Sequence, residues 1–190
     1  MVPALNFPPE LLLMAQGRGQ GIRAAIFDVD GVLTDGRLFV GEQGESFKAF
    51  HVLDGHGIKL LARGGIEPIV ISGRDSPALR RRMVDLGVSH VVFGAPDKLA
   101  AAEPICKALA LPWDDIAVIG DDWPDLPLLQ RAGFACAVAN AHAEIKAIAQ
   151  YVTALPGGRG AAREFCDLLL TASGRYAELL QAQRVSLDTR

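Results

Sequence analysis

Residues 26–36 read IFDVDGVLTDG, and the four residues before them extend the apolar run to IRAAIFDVDG. An apolar segment without alternation reads as a strand buried on both faces, of the kind found inside a parallel sheet covered by helices. It ends abruptly in Asp28 and Asp30, with Gly31 directly behind them. Carboxylates at the exit of a buried strand are costly to desolvate, so the segment poses a chemical question as well as a structural one.

Working outward, RLFV (37–40) and SFKAF (46–50), joined across GEQGE, predict a hairpin. DGHGIKLLARGG (54–65) predicts a short helix stopped by Gly64 and Gly65. From there strand and helix alternate. EPIVIS (67–72) is a strand, followed by a helix capped by Ser76 with Pro77 at its first position. HVVF (90–93) precedes a helix with Leu99, Ala102, Cys106 and Leu109 on one face. IAVIG (116–120) precedes a helix ending at Gly133, FACAV (134–138) precedes another, and YVT (151–153) precedes a helix over about 160–171. Upstream, a short helix is expected around 10–16. The alternation predicts an α/β fold with a Rossmann-like, mostly parallel sheet and helices on both faces. The organisation expected is an N-terminal extension over 1–21, one domain over 22–173 and a C-terminal tail over 174–190. The tail's Arg175, Arg184 and Arg190 either fray into solvent or reach a neighbour's site.

With 190 residues, half of them apolar, the chain builds one real core, and disorder is excluded. So much apolar content in a small domain also predicts surface buried against another copy. A net charge of −3 gives no footprint for nucleic acid. Cys106, Cys136 and Cys166 have unrelated contexts and form no CxxC pair, so they read as buried apolar side chains and not as zinc ligands. No apolar run reaches the length of a membrane span, and a cytoplasmic protein is expected.

In open α/β sheets ligands bind beyond the carboxyl ends of the strands. Sorted by strand exit, the polar residues are Asp28 and Asp30, then Ser72, Gly73 and Arg74, then Lys98, then Gly120, Asp121 and Asp122. Together they suit one phosphate site. Asp28 is ionised near neutral pH without an activating base and is the natural nucleophile. Asp30, two residues on, points to the same side and can protonate a leaving alkoxide. Asp121 can share a divalent cation with Asp28, and an all-oxygen site suits Mg²⁺. Lys98 opens its helix, where the macrodipole disfavours a cation, so anions are expected in front of it. The hydroxyl of Ser72 and the first amides of the next helix can hold phosphate oxygens. Each residue also has a plainer reading: Asp28 and Asp30 as a turn, Asp121, Asp122 and Asp125 as helix caps, Lys98 as a surface lysine.

DVDGVLTDG, ISGR, DK and GDDWPD resemble the four motifs of the haloacid dehalogenase superfamily. The resemblance implies a nucleophilic Asp28, an acid/base Asp30, a phosphate-binding Ser72, a catalytic Lys98, and a metal held by Asp28, Asp121 and the main-chain carbonyl of Asp30. Over about 22–170, including FKAFHVLDGHGIK and GGRGAAREFCDLLL, the chain is similar to that superfamily's capless sugar-phosphate phosphatases. Among these it looks most like those acting on 3-deoxy-D-manno-octulosonate 8-phosphate. That similarity implies hydrolysis of this ester through an aspartyl-phosphate, in a cytoplasmic, Mg²⁺-dependent homotetramer of lipopolysaccharide sugar synthesis. The hairpin of residues 37–50 then stands where a cap would be inserted, and a neighbouring subunit is expected to help close the open site.

Implied substrate contacts fall on Asp30, Asp54, Gly55, Lys59, Gly73, Arg74, Arg82 and Lys98. Arg82 lies on the Leu79–Met83–Leu86 stripe, where an arginine needs a partner or must snorkel from the edge. Asp54 can equally cap its own helix. Two alternatives stay open: a phosphatase for a nine-carbon ulosonic acid 9-phosphate, against which Arg74 weighs, and a non-catalytic regulatory or receiver-like module, which leaves the Asp28/Asp30 pair unexplained.

Overall fold

The computed structural model of the protein describes residues 3–42 and 44–185. Its strands are β1 (Ala24–Phe27), β2 (Phe39–Gly41), β3 (Gly44–Phe47), β4 (Glu67–Ile71), β5 (His90–Val92), β6 (Ile116–Gly120), β7 (Phe134–Ala137) and β8 (Tyr151–Val152). Its helices are α1 (Pro9–Met14), α2 (Val52–Arg63), α3 (Pro77–Leu86), α4 (Lys98–Ala108), α5 (Leu126–Arg131), α6 (Ala143–Ile148), α7 (Ala161–Ala172) and α8 (Arg175–Val185).

Six strands form one sheet in the order β5-β4-β1-β6-β7-β8. Every pairing in it is parallel, with Ile26 opposite both Ile69 and Val118. All four residues of β1 are buried, as an unalternating apolar strand at the centre of the sheet requires. The chain winds outward from β1 in both directions. Right-handed crossovers therefore put α2 and α3 on one face and α4 and α5 on the other. α7 returns to pack along α2. It buries Phe165 edge-on against Phe27 of the central strand, with centroids 5.5 Å apart, a contact worth about 1 kcal/mol beyond its area. The first turn of α7 starts at Gly160, which has no side chain with which to cap it. Asp54, in the first turn of α2, takes over: its carboxylate accepts from Gly160 N at 3.3 Å and Arg163 N at 2.8 Å.

The predicted Ser76 cap is present, its hydroxyl accepting from Leu79 N at 3.3 Å ahead of α3, whereas α2 has no side-chain cap and Asp54 does not cap its own helix. The three cysteines are buried as free thiols. Three regions depart from the sequence expectation. The hairpin turn is tighter than GEQGE implied, because Gly41 and Gly44 pair within the ladder and Gly44 takes the positive φ (+103°) that a glycine tolerates. Lys48, Ala49 and Phe50 consequently lie beyond β3. Residues 3–21 are tied down, with Phe7, Leu11 and Ala15 in the core. Residues 175–185 form α8, with Tyr176 and Leu179 packed against the core and Arg175 paired with Glu178 at 3.1 Å. Arg190 lies outside the described residues. No helix among the described residues is long and apolar enough to cross a membrane.

Candidate active site

Four strand ends meet at the carboxyl edge of the sheet. Asp28 continues the β1 ladder by donating its N–H to Ile119 O at 3.2 Å, which fixes its side chain at the β1/β6 junction. Gly31 then turns the chain away at φ +99°. A Cβ on Gly31 would run into the carboxylate of Asp121, so this close approach admits only glycine. Ser72 extends β4 through its N–H to Val92 O at 2.9 Å. Its buried hydroxyl accepts from Arg74 N at 3.1 Å, which leaves the hydroxyl proton free to donate.

Lys98 resolves the electrostatic puzzle it posed. It opens α4 and is buried. Its Nζ donates to Asp28 Oδ1 at 2.5 Å and to Asp125 Oδ1 at 2.6 Å. Those two carboxylates hold the ammonium above its ordinary value although burial works against the charge. The other oxygen of Asp125 accepts from the amides of Asp121 at 3.0 Å and Asp122 at 3.4 Å, clamping the loop that carries Asp121.

Asp28, Asp121 and Asp125 each place a carboxylate oxygen within 4.8 Å of the others. Burial, reinforced by Asp125, pushes the Asp28 carboxyl well above the usual range, against the pull of Lys98. Burial and Asp125 push Asp121 up to about 6. Carboxylates crowded this closely repel one another unless protons or a cation intervene. Their oxygen-only chemistry fits a hard divalent ion such as Mg²⁺. The Asp30 side chain is outside this cluster and turns toward the hairpin. Its Oδ1 receives a hydrogen bond from Lys48 Nζ at 2.5 Å, and its Oδ2 lies 3.8 Å from Arg74 Nε. Arg74 also donates to Glu45 Oε2 at 3.2 Å.

These groups line one open pocket of about 180 Å³, which takes in Asp28, Asp30, Ser72, Gly73, Arg74, Lys98, Asp121 and Asp125. A larger concavity of about 600 Å³ lies around Gly21, Arg23, Gly65 and Leu169, at the other end of β1 and β4. No carboxylate, histidine or cysteine lines it, so the reactive chemistry belongs to the smaller pocket.

Of the sequence-predicted residues, the four strand exits are brought together as expected, whereas Asp54, Gly55, Lys59 and Arg82 do not line this pocket within the chain. Asp54 is occupied by the α7 cap, and Lys59 is exposed on α2. Arg82 lays its guanidinium against Gly55, where a Cβ would strike it, and sits 5.8 Å from the Phe50 ring centroid. Sequence reasoning missed three residues. Asp125 had been weighed only as a helix cap, and Lys48 and Glu45 sat unremarked in the hairpin.

The haloacid dehalogenase-like hydrolase family pattern matches residues 87–163. The 3-deoxy-D-manno-octulosonate 8-phosphate phosphatase of Escherichia coli K12 is 42% identical over 161 residues, 85% of this chain and 86% of that one. The crystal structure of the Yersinia pestis phosphatase of the same description superposes with a TM-score of 0.84 at 40% identity, over 89% of each chain. That of Moraxella catarrhalis, in complex with magnesium ion, phosphate ion and KDO, superposes with a TM-score of 0.85 at 37% identity, over 91% of this chain and 97% of that one.

Proposed function

The chain belongs to the haloacid dehalogenase-like hydrolases, and from that premise we infer that it is a Mg²⁺-dependent phosphomonoesterase that cleaves 3-deoxy-D-manno-octulosonate 8-phosphate to the free sugar and phosphate. The observation that carries the reading is the Lys98 ammonium shared between Asp28 and Asp125, with Asp121 in the same carboxylate cluster. Relatives 42% identical over 85% of the chain support the substrate.

In this reading Asp28 is the nucleophile. Lys98 holds it by one oxygen, and the carboxylate attacks phosphorus as the bond to the sugar oxygen breaks. Asp30 gives a proton to the departing alkoxide. It then takes one from the water that attacks the aspartyl-phosphate, which releases phosphate and restores Asp28. Ser72, Gly73 and Lys98 hold the phosphate oxygens, and Arg74 meets the acidic sugar. Asp28, Asp121 and the main-chain carbonyl of Asp30 would hold the Mg²⁺. When bound, the ion supplies positive charge that offsets repulsion between phosphate and carboxylate.

The working form is proposed to be a cytoplasmic homotetramer. The hairpin supports this: Leu38, Val40 and Phe47 are exposed, the Phe39 and Phe47 rings stack at 4.3 Å, and Val52 and Leu53 are exposed just beyond. Of the implied contacts that lie apart from the pocket in one chain, Lys59, exposed on α2, is then a contributor across a subunit boundary, whereas the buried Asp54 stays with the α7 cap. The test is Asp28→Asn, which should abolish Mg²⁺-dependent phosphate release from the eight-carbon substrate while the unfolding temperature is retained. Normal turnover by that variant removes Asp28 as nucleophile and ends the reading.

A further inference from the structure

We propose that Lys48, backed by Glu45, is a positioning residue that fixes Asp30 for proton transfer, so that the hairpin controls the acid/base step from behind the pocket. The proposal rests on the reading of Asp30 as the acid/base and extends it.

Lys48 follows β3 directly, and its side chain is only 1% exposed, an extreme value for a lysine. Its Nζ donates to Asp30 Oδ1 at 2.5 Å and pairs with Glu45 Oε1 at 2.9 Å. Thr34 Oγ1 stands 3.5 Å from the same Asp30 oxygen. The other oxygen, Oδ2, is buried and makes no hydrogen bond, with Arg74 Nε only within ion-pair range at 3.8 Å. The two oxygens of one carboxylate are thus treated differently: one is pinned by a buried ammonium, and the other is left unbonded in a residue that lines the reactive pocket.

A buried acceptor without a hydrogen bond is costly, and such atoms call for a use. Proton transfer supplies one, because an oxygen that must alternately release and accept a proton cannot be committed to a permanent donor. Lys48 does not line the pocket, so it acts on the reaction only through Asp30. Glu45 holds Lys48 on its far side and Arg74 at 3.2 Å, tying the hairpin to both the acid/base and a residue of the pocket wall.

The test compares two esters. Cleaving the sugar phosphate expels an alkoxide, which needs the proton of Asp30. Cleaving p-nitrophenyl phosphate expels a stabilised phenolate, which does not. In Lys48→Met, kcat/KM on the sugar phosphate, which covers only the steps through departure of the alkoxide and not the later hydrolysis both esters share, should fall about 100-fold, the size expected of a displaced general acid. The aryl phosphate should lose only a few-fold. Lys48→Met/Glu45→Gln, which also removes the stranded carboxylate, should show the same selectivity and carries the measurement where the single variant does not fold. Lys48→Arg, which keeps a donor, should recover part of the sugar-phosphate rate. Equal losses on both esters, or no loss on the sugar phosphate, overturn the positioning role alone. A wild type that fails to turn over the sugar phosphate overturns the functional reading and this proposal with it.

Discussion

Asp121→Asn should make the metal-free protein more stable at neutral pH while abolishing Mg²⁺-dependent activity. The Asp121 carboxyl is raised from 3.8 to about 6 by burial and by the neighbouring Asp125. Its folded value lies above its unfolded one, so its contribution to stability is fully present below about pH 4 and is lost as pH rises through about 6. At pH 7.5 the ionised group therefore costs the fold about 3 kcal/mol at full strength, and partial solvent screening trims this to about 1–3 kcal/mol. An amide of the same shape carries no charge and relieves that cost. For a chain of this length the gain corresponds to about 3–10 °C in unfolding temperature. The assay is thermal unfolding in EDTA from pH 4 to 8 for both proteins, repeated in excess Mg²⁺. The curves should converge toward pH 4 and separate above pH 6, with the variant higher. Mg²⁺ should then raise the wild type by up to about 3 kcal/mol at a hundredfold excess over Kd, and the variant much less. A pH-independent difference, or a variant less stable than wild type at pH 7.5 in EDTA, refutes the claim that the carboxylates are held together against their own repulsion.

Asp54→Ala strands two amides at the start of α7 and should cost about 2 kcal/mol, lowering the unfolding temperature by about 4–8 °C, with Asp54→Asn, whose single carbonyl oxygen replaces one of the two acceptors, recovering only part of it. A loss of kcat/KM with no change in unfolding temperature would instead assign Asp54 to substrate. Val40→Glu on the exposed hairpin should lower the solution mass measured by light scattering. A wild type already at the mass of one chain removes the interface.

Much of the site was legible because its residues contradict their local surroundings. Asp28 ends a strand that should be apolar, and Lys98 sits where a helix repels cations, so both pointed beyond themselves to the ion pair that joins them. Asp125 did not, since a carboxylate near a helix start is ordinary, and only the fold reveals that one oxygen caps the loop while the other holds Lys98. Lys48 was hidden for a similar reason. A lysine in a short, alternating hairpin reads as solvated, and its burial depends on how that hairpin leans on the strand ends. Asp54 has a local reading as a cap, but the helix it caps begins more than a hundred positions later, beyond the reach of any window of sequence. α8 lacks the amphipathic stripe that marks α7, so no pattern in 175–185 announces a helix, and the tail reads as a solvated end on its terminal position alone.

That distant cap bears on how the polypeptide matures. Asp54 leaves the ribosome 106 positions ahead of Gly160, so it waits through the synthesis of that whole stretch for the backbone it will bind. Closing so long a loop carries an entropic cost and slows assembly. Until α7 emerges, the strands are in place but the apolar surface of α2 and Phe27 that α7 covers stays open. Apolar surface exposed during that interval is the kind that misassembles or is held by chaperones.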